Sequence, residues 1–170
     1  MPASRQVLFD RLAELGIETR TLEHDPVFTV AESAELERQM QGAHTKNLFL
    51  KDDRGALFLI VAISATRVDL KALSRTLSAG RFSFGKAELL RGALGVEPGS
   101  VTAFSVINDT SQQVSVVLDA DLMRHETINC HPLENTATTN IARDDLLRFI
   151  RACGHEPRIV MLGAGAAGGA

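Results

Sequence analysis

The stretch "NLFLKDDRGALFLIVAIS", residues 47–64, decides the fold. Two apolar runs flank the connection "KDDRG" (51–55), and a polar, glycine-containing link between such runs marks a β-hairpin. The second run, from Leu57 to Ile63, lacks the alternation of a half-solvated strand. A strand apolar at nearly every position has both faces covered. The hairpin therefore predicts a sheet with other elements packed on each side.

Other elements are read outward from it. Val7, Leu8, Leu12 and Leu15 recur at helical spacing ahead of Gly16, which predicts a helix over 4–15. "TVAE" (29–32) has the form of a capping box, with Thr29 and Glu32 opening a second helix that runs to about Met40. Beyond the hairpin, Arg67, Lys71 and Arg75 fall at i, i+4 and i+8, one face of a helix whose other face holds Leu70, Leu73 and Leu77. Asp69 can cap that helix and Gly80 end it. A short helix near 86–94 closes at Gly95. "SVTAFSVIN" (100–108), "VSVVLD" (114–119), "ETINCHP" (126–132) and "ATTNI" (137–141) read as consecutive strands. "RDDLLRFIRACG" (143–154) reads as a helix with Leu146, Leu147, Phe149 and Ile150 inward, and "RIVML" (158–162) as a last strand. The expected fold is α+β: a mixed, largely antiparallel, barrel-like sheet with surrounding helices, one domain over 1–162 and a flexible Gly/Ala tail over 163–170.

Composition narrows the function classes. A chain of 170 residues, 45% hydrophobic and 23% charged, suits one soluble globular domain with a real core. With eight Phe, no Trp and no Tyr, that core is aliphatic, and aromatic platforms for stacking single-stranded bases are scarce. Two cysteines, an N-terminus without an apolar block and the absence of any run of about 18 apolar residues predict a cytoplasmic protein with no membrane partner. Net charge of −3 excludes a grip on nucleic acid by bulk positive charge. Locally the balance differs: residues 64–92 hold six cations against two acids, 6 − 2 = +4. That is either a solvated helix face or a docking surface for a phosphate backbone.

Familiar catalytic motifs are absent: there is no P-loop, G-x-S-x-G elbow or H-E-x-x-H. "GAGAAGG" (163–169) imitates a dinucleotide loop without the helix that must follow one. Cys130 and His131 are adjacent, so in a strand they face opposite ways and form no dyad; Cys130 reads as an inert buried thiol. His24, His44, His131 and His155 match no metal-ligand spacing, and no metal is expected. What remains is a set of polar residues at element boundaries: Lys46, Asn47, "PGSVT" (98–102), Asn108 and His131.

Taken in order, "HTKNLFLKD" (44–52), "PGSVTAFSVIND" (98–109) and "CHPLENTATTNIARDDLLRFI" (130–150) resemble the free-standing YbaK/ProX-type aminoacyl-tRNA editing hydrolases, relatives of the prolyl-tRNA synthetase editing domain. The likeness is strongest to the alanyl-tRNA(Pro) deacylases. It implies ester hydrolysis of mischarged tRNA without metal, cofactor or covalent intermediate. It puts the family's essential lysine on Lys46 beside Asn47, its pocket histidine on His131, and its G-x-x-x-P loop on Gly99–Ala103. Here Ala103 replaces the usual proline, which puts the loop's stiffness in question.

On this reading Gly99, Ser100, Val101 and Thr102 offer backbone N–H groups to the developing oxyanion. Lys46 contacts phosphate or ribose at the terminal adenosine. If the strand has begun by then, only one of Lys46 and Asn47 enters the pocket. His131 orients the water or bonds the substrate's amino group. Phe28, Val30, Val101 and Phe104 line a small acyl pocket, and Asn108 adds a polar contact. Arg67, Lys71 and Arg75 hold tRNA. Partners would be mischarged tRNA(Pro), with prolyl-tRNA synthetase or an elongation factor. The alternatives are a deacylase for cysteinyl-tRNA(Pro) or another small ester, or a non-catalytic tRNA- or synthetase-binding module.

Overall fold

The strand from Leu57 to Ile63 is buried on both faces, as its unbroken apolar run requires. Leu57, Leu59 and Val61 enter one apolar cluster, while Phe58, Ile60 and Ala62 enter a second. A computed structural model describes residues 1–27 and 30–163, and for Val30 the backbone alone. Phe28, the capping Thr29, the Val30 side chain and tail residues 164–170 lie outside the described residues.

The elements run α1 (Arg5–Glu14), β1 (Thr19–Glu23), α2 (Val30–Gln39), β2 (Ala43–Asp52), β3 (Leu57–Ile63), α3 (Leu70–Thr76), β4 (Phe82–Phe84), α4 (Ala87–Leu94), β5 (Val114–Asp119), β6 (Thr127–Cys130), β7 (Ala137–Ala142), α5 (Arg143–Ala152) and β8 (Arg158–Val160). One eight-stranded sheet has the order β1-β7-β6-β2-β3-β5-β8, with β4 on β2. It is mixed: β1–β7, β2–β3, β2–β4 and β6–β7 are antiparallel, and β2–β6, β3–β5 and β5–β8 parallel.

The hairpin link is held by a carboxylate. Asp52 is buried and accepts from Arg54 N and Ala56 N with Oδ1 and from Gly80 N with Oδ2. The Gly80 bond, helped by the other two against the cost of burial, holds its carboxyl below the usual range. Gly80 thus secures the hairpin rather than ending a helix. The larger apolar cluster joins α1, α4 and α5 to one sheet face through Leu8, Leu12, Leu90, Leu94, Leu146, Phe149 and Ile150. The smaller one packs α3 on the opposite face of β3 through Leu73 and Leu77. No helix among the described residues is long and apolar enough to cross a membrane.

Several expectations need correction. Val7 is 50% exposed, so α1 buries Leu8 and Leu12 with Leu15 packed beside them. The basic helix starts at Leu70, capped by Asp69 Oδ1 accepting from Ala72 N, because Val68 is already committed to a β-bridge with Gly163. Arg67 therefore precedes the helix, and only Lys71 and Arg75 share it. The segment 100–108 contains a 3₁₀ turn, Ala103–Asn108, in place of a strand. Thr102 decides this: its hydroxyl accepts from Phe104 N and its carbonyl from Ser105 N, local bonds that compete with a ladder. Strands β1 and β4, short and mostly polar or exposed, have no clear sequence signature.

Candidate functional site

The site is assembled where β2 begins. Gly42, with φ +96°, turns the chain into β2 so close to β6 that a Cβ there would lie 2.3 Å from Thr127 Oγ1. Glycine is required on both counts. The parallel register then sets His44 beside Asn129. Thr45 Oγ1 donates to the Asn129 carbonyl at 2.8 Å and ties the strands further.

Alternation along β2 sends successive side chains to opposite faces of the sheet. Lys46 shares the face of His44, opposite Ala62 of β3, and the next residue on that face, Leu48, packs in the α3 cluster. Asn47 lies opposite Val61 and faces the larger cluster. Because β2 starts at Ala43, the lysine and the asparagine leave the strand in opposite directions. The Asn47 Oδ1 atom is buried and without a hydrogen-bond partner among the described residues. Lys46 is half-buried, with neither a carboxylate nor a hydrogen-bond partner for its ammonium among them.

A cleft of about 190 Å³ opens where the start of β2 and the end of β6 meet α2. Ser33, Leu36 and Glu37 come from α2; His44, Thr45, Asn129, Cys130, His131 and Thr138 come from the sheet side; Val27 and Ser64 complete it. His131 Nδ1 donates to the Ala137 carbonyl at 2.9 Å, so a neutral ring carries its lone pair on Nε2, which has no partner among the described residues. Burial holds the imidazole below its ordinary range, and the nearby His24 adds to that against the Ala137 bond. His24 stands 6.4 Å away between ring centroids, its Nδ1 donating to the Asp25 carbonyl and its Nε2 accepting from Thr138 Oγ1. Burial pushes the Cys130 thiol up to about 12, so at neutral pH it is a thiol and no nucleophile.

The Gly99 loop approaches from another side. Gly99 has φ +90°, and a Cβ on it would meet nothing nearer than Asn135 Nδ2 at 3.6 Å. Its glycine answers a backbone conformation and not a tight contact, and it lies beside the turn that follows His131. Ser100 N already donates to the Glu97 carbonyl, which leaves the Gly99, Val101 and Thr102 N–H groups of the loop without a partner among the described residues. Val101 packs against the larger cluster. Thr102 is buried as a cap, and Phe104 is buried against Phe149 at 5.5 Å, so neither reaches a cleft. Asn108 is committed elsewhere: Oδ1 accepts from Ala3 N and Nδ2 donates to the Leu94 carbonyl. His155 is also remote from the imidazole cluster in role, its Nε2 bonded at 2.8 Å to buried Asp109. Among the described residues no group of three His, Cys, Asp or Glu is placed to hold a metal ion.

With that geometry in view, residues 24–149 match the aminoacyl-tRNA editing domain family. The chain belongs to that family. It is 39% identical over 158 residues to the prolyl-tRNA synthetase associated domain-containing protein 1 of Danio rerio, covering 92% of this chain and 86% of the relative. It is 32% identical over 160 residues to the prolyl-tRNA editing protein ProX of Acetoanaerobium sticklandii, covering 94% and 98%. A crystal structure assigned provisionally as a trans-editing enzyme for prolyl-tRNA synthetase superposes with a TM-score of 0.74 at 18% identity, over 97% of this chain and 99% of that one, a likeness of fold. For an editing domain, the cleft adds residues that sequence reasoning missed: His44, Thr138 and Glu37, with His24 behind Thr138. Of these only His44 carries a signal, standing two residues from Lys46 and so on its face.

Proposed function

We propose that this editing domain hydrolyses the ester of mischarged tRNA, with alanyl-tRNA(Pro) as its substrate. One observation supports the reading most: a small cleft lined by His44 holds an imidazole with an open Nε2, and His44 shares its face of β2 with Lys46, a lysine unpaired among the described residues. His131 Nε2 accepts a proton from water or from the substrate's amino group. The Gly99 and Val101 N–H groups meet the oxyanion, and Lys46 meets the phosphate or ribose of the terminal nucleotide. Asn47, on the other face, acts from the side of the Gly99 loop. A proline-activating site cannot strongly reject the smaller alanine, because a methylene is worth only about 1–3 kcal/mol, so a second site is needed to remove the error.

Single-turnover deacylation of alanyl-, cysteinyl- and prolyl-tRNA(Pro) tests this. Alanyl ester should disappear fastest, with prolyl ester spared by roughly 10–200-fold. Faster loss of the cysteinyl ester would move the substrate; binding without turnover would leave a module for tRNA, synthetase or elongation factor.

Arg67, Lys71 and Arg75 form the proposed tRNA surface. Lys71 and Arg75 are exposed on α3, which packs on the same side of β3 as Lys46. Reversing both charges should weaken tRNA binding and lower the log–log salt slope by about 0.9 per lost phosphate contact. An unchanged slope would remove α3 from the interface.

A further inference from the structure

The same cleft has an unusual balance of hydrogen-bonding atoms. Glu37 projects from α2 into its lining, and Ser64 holds it by donating Oγ–H to Oε1 at 2.7 Å. Among the described residues Oε2 has no partner. His44 Nε2 donates to the Met40 carbonyl at 2.9 Å, so the neutral ring presents its lone pair at Nδ1. His131 presents Nε2 in the same way. The donors nearby are already used: Thr45 bonds the Asn129 carbonyl, Asn129 Nδ2 the Gln41 and Ala43 carbonyls, and Thr138 the ring of His24. Among the described lining side chains, the Ser33 hydroxyl, on the exposed side of α2, and the weak Cys130 S–H are left.

Three open acceptors, one of them an anion, suit a group that is cationic and rich in donors. They do not suit a phosphate, a carboxylate or an amide carbonyl. A primary ammonium has three N–H donors and one positive charge. We infer that Glu37, held by Ser64 and assisted by His44, selects substrates with a free α-ammonium group, and that the cleft excludes tRNA esters whose amino group is acylated or replaced by hydroxyl. This inference rests on the proposed function, in which the cleft receives the aminoacyl end. It adds Glu37 as a specificity-determining residue and a substrate class: free aminoacyl esters, as opposed to N-blocked or α-hydroxyacyl esters.

The experiment compares three esters of one tRNA(Pro): alanyl, N-acetylalanyl, and lactyl made by nitrous-acid deamination of the alanyl ester. The wild type and Glu37→Gln are both assayed. Glu37 is solvent-exposed on a helix, so the amide should leave the melting temperature unchanged. The wild type should prefer alanyl over lactyl ester by roughly tenfold or more, the scale of one charge-assisted hydrogen bond. Glu37→Gln should slow alanyl turnover while leaving lactyl turnover as it was, so that the ratio collapses toward one. A merely structural role would lower both rates together and keep the ratio. Rapid alanyl turnover with a ratio unaltered in Glu37→Gln, or equal wild-type rates on alanyl and N-acetylalanyl esters, overturns the inference alone. Absence of turnover on every ester overturns the hydrolase reading beneath it.

Discussion

Replacing Lys46 by Ala should slow single-turnover hydrolysis of alanyl-tRNA(Pro) by about 10–150-fold at subsaturating enzyme, the loss of one charge-assisted hydrogen bond of roughly 1.5–3 kcal/mol to the terminal phosphate or ribose. The expectation comes from the surroundings of the side chain. A lysine in mid-strand normally snorkels to solvent or finds a carboxylate. Lys46 is half-buried on the His44 face and has no carboxylate partner among the described residues. No ion pair is lost in the variant, so its melting temperature should match the wild type. Lys46→Arg keeps the charge but replaces a point donor by a planar fork, and should restore only part of the rate. If Lys46→Ala stayed within threefold of wild type, the lysine would be a solvated strand residue and the proposed contact to the terminal nucleotide would be lost.

How much of this is legible in the sequence depends on whether the deciding contacts are local. The β2–β3 hairpin is readable because burial on two faces leaves a composition signature, and Asp52 and Gly55 sit where the link needs them. Helix α4 and its stop at Gly95 are readable for similar reasons. The turn over Ala103–Asn108 escapes because alternating apolar residues fit a strand as well as a one-sided 3₁₀ turn, and the tie is broken by the Thr102 hydroxyl. The start of α3 escapes because its competitor is a bridge from Val68 to Gly163, far along the chain.

The site divides in the same way. Strand alternation does not separate Cys130 from His131, because β6 ends at Cys130 and both line the cleft, whereas the choice between Lys46 and Asn47 needs only the start of β2. The roles of Lys46, His131 and Gly99 come from resemblance, since composition and spacing assign them none. Glu37 enters only when α2 is laid over a sheet whose neighbouring strands are joined across 84 residues by the Thr45–Asn129 bond. Nothing in an exposed helix glutamate foretells that contact.

Phe104→Ala should lower stability by about 3–5 kcal/mol, a large part of the roughly 5–15 kcal/mol that holds a typical domain together. Phe104 is fully buried at the start of the 3₁₀ turn, its ring edge-to-face with Phe149 of α5 at 5.5 Å and 82°. A place in the acyl pocket, the expectation from sequence, would let enlargement admit bulkier esters. Burial argues for the other outcome: a cavity in the main cluster, and a melting temperature lower by roughly 2–4 °C per kcal/mol lost. Discrimination against prolyl ester should persist at temperatures where the variant is folded. Val101, three residues earlier and only partly buried, is the better site for altered acyl selectivity. Calorimetry and the ester panel separate the two readings. A variant that melts like the wild type and hydrolyses prolyl-tRNA would return Phe104 to the pocket. A variant that melts early with its selectivity intact would make Phe104 the anchor that sets the Gly99 loop against the turn after His131.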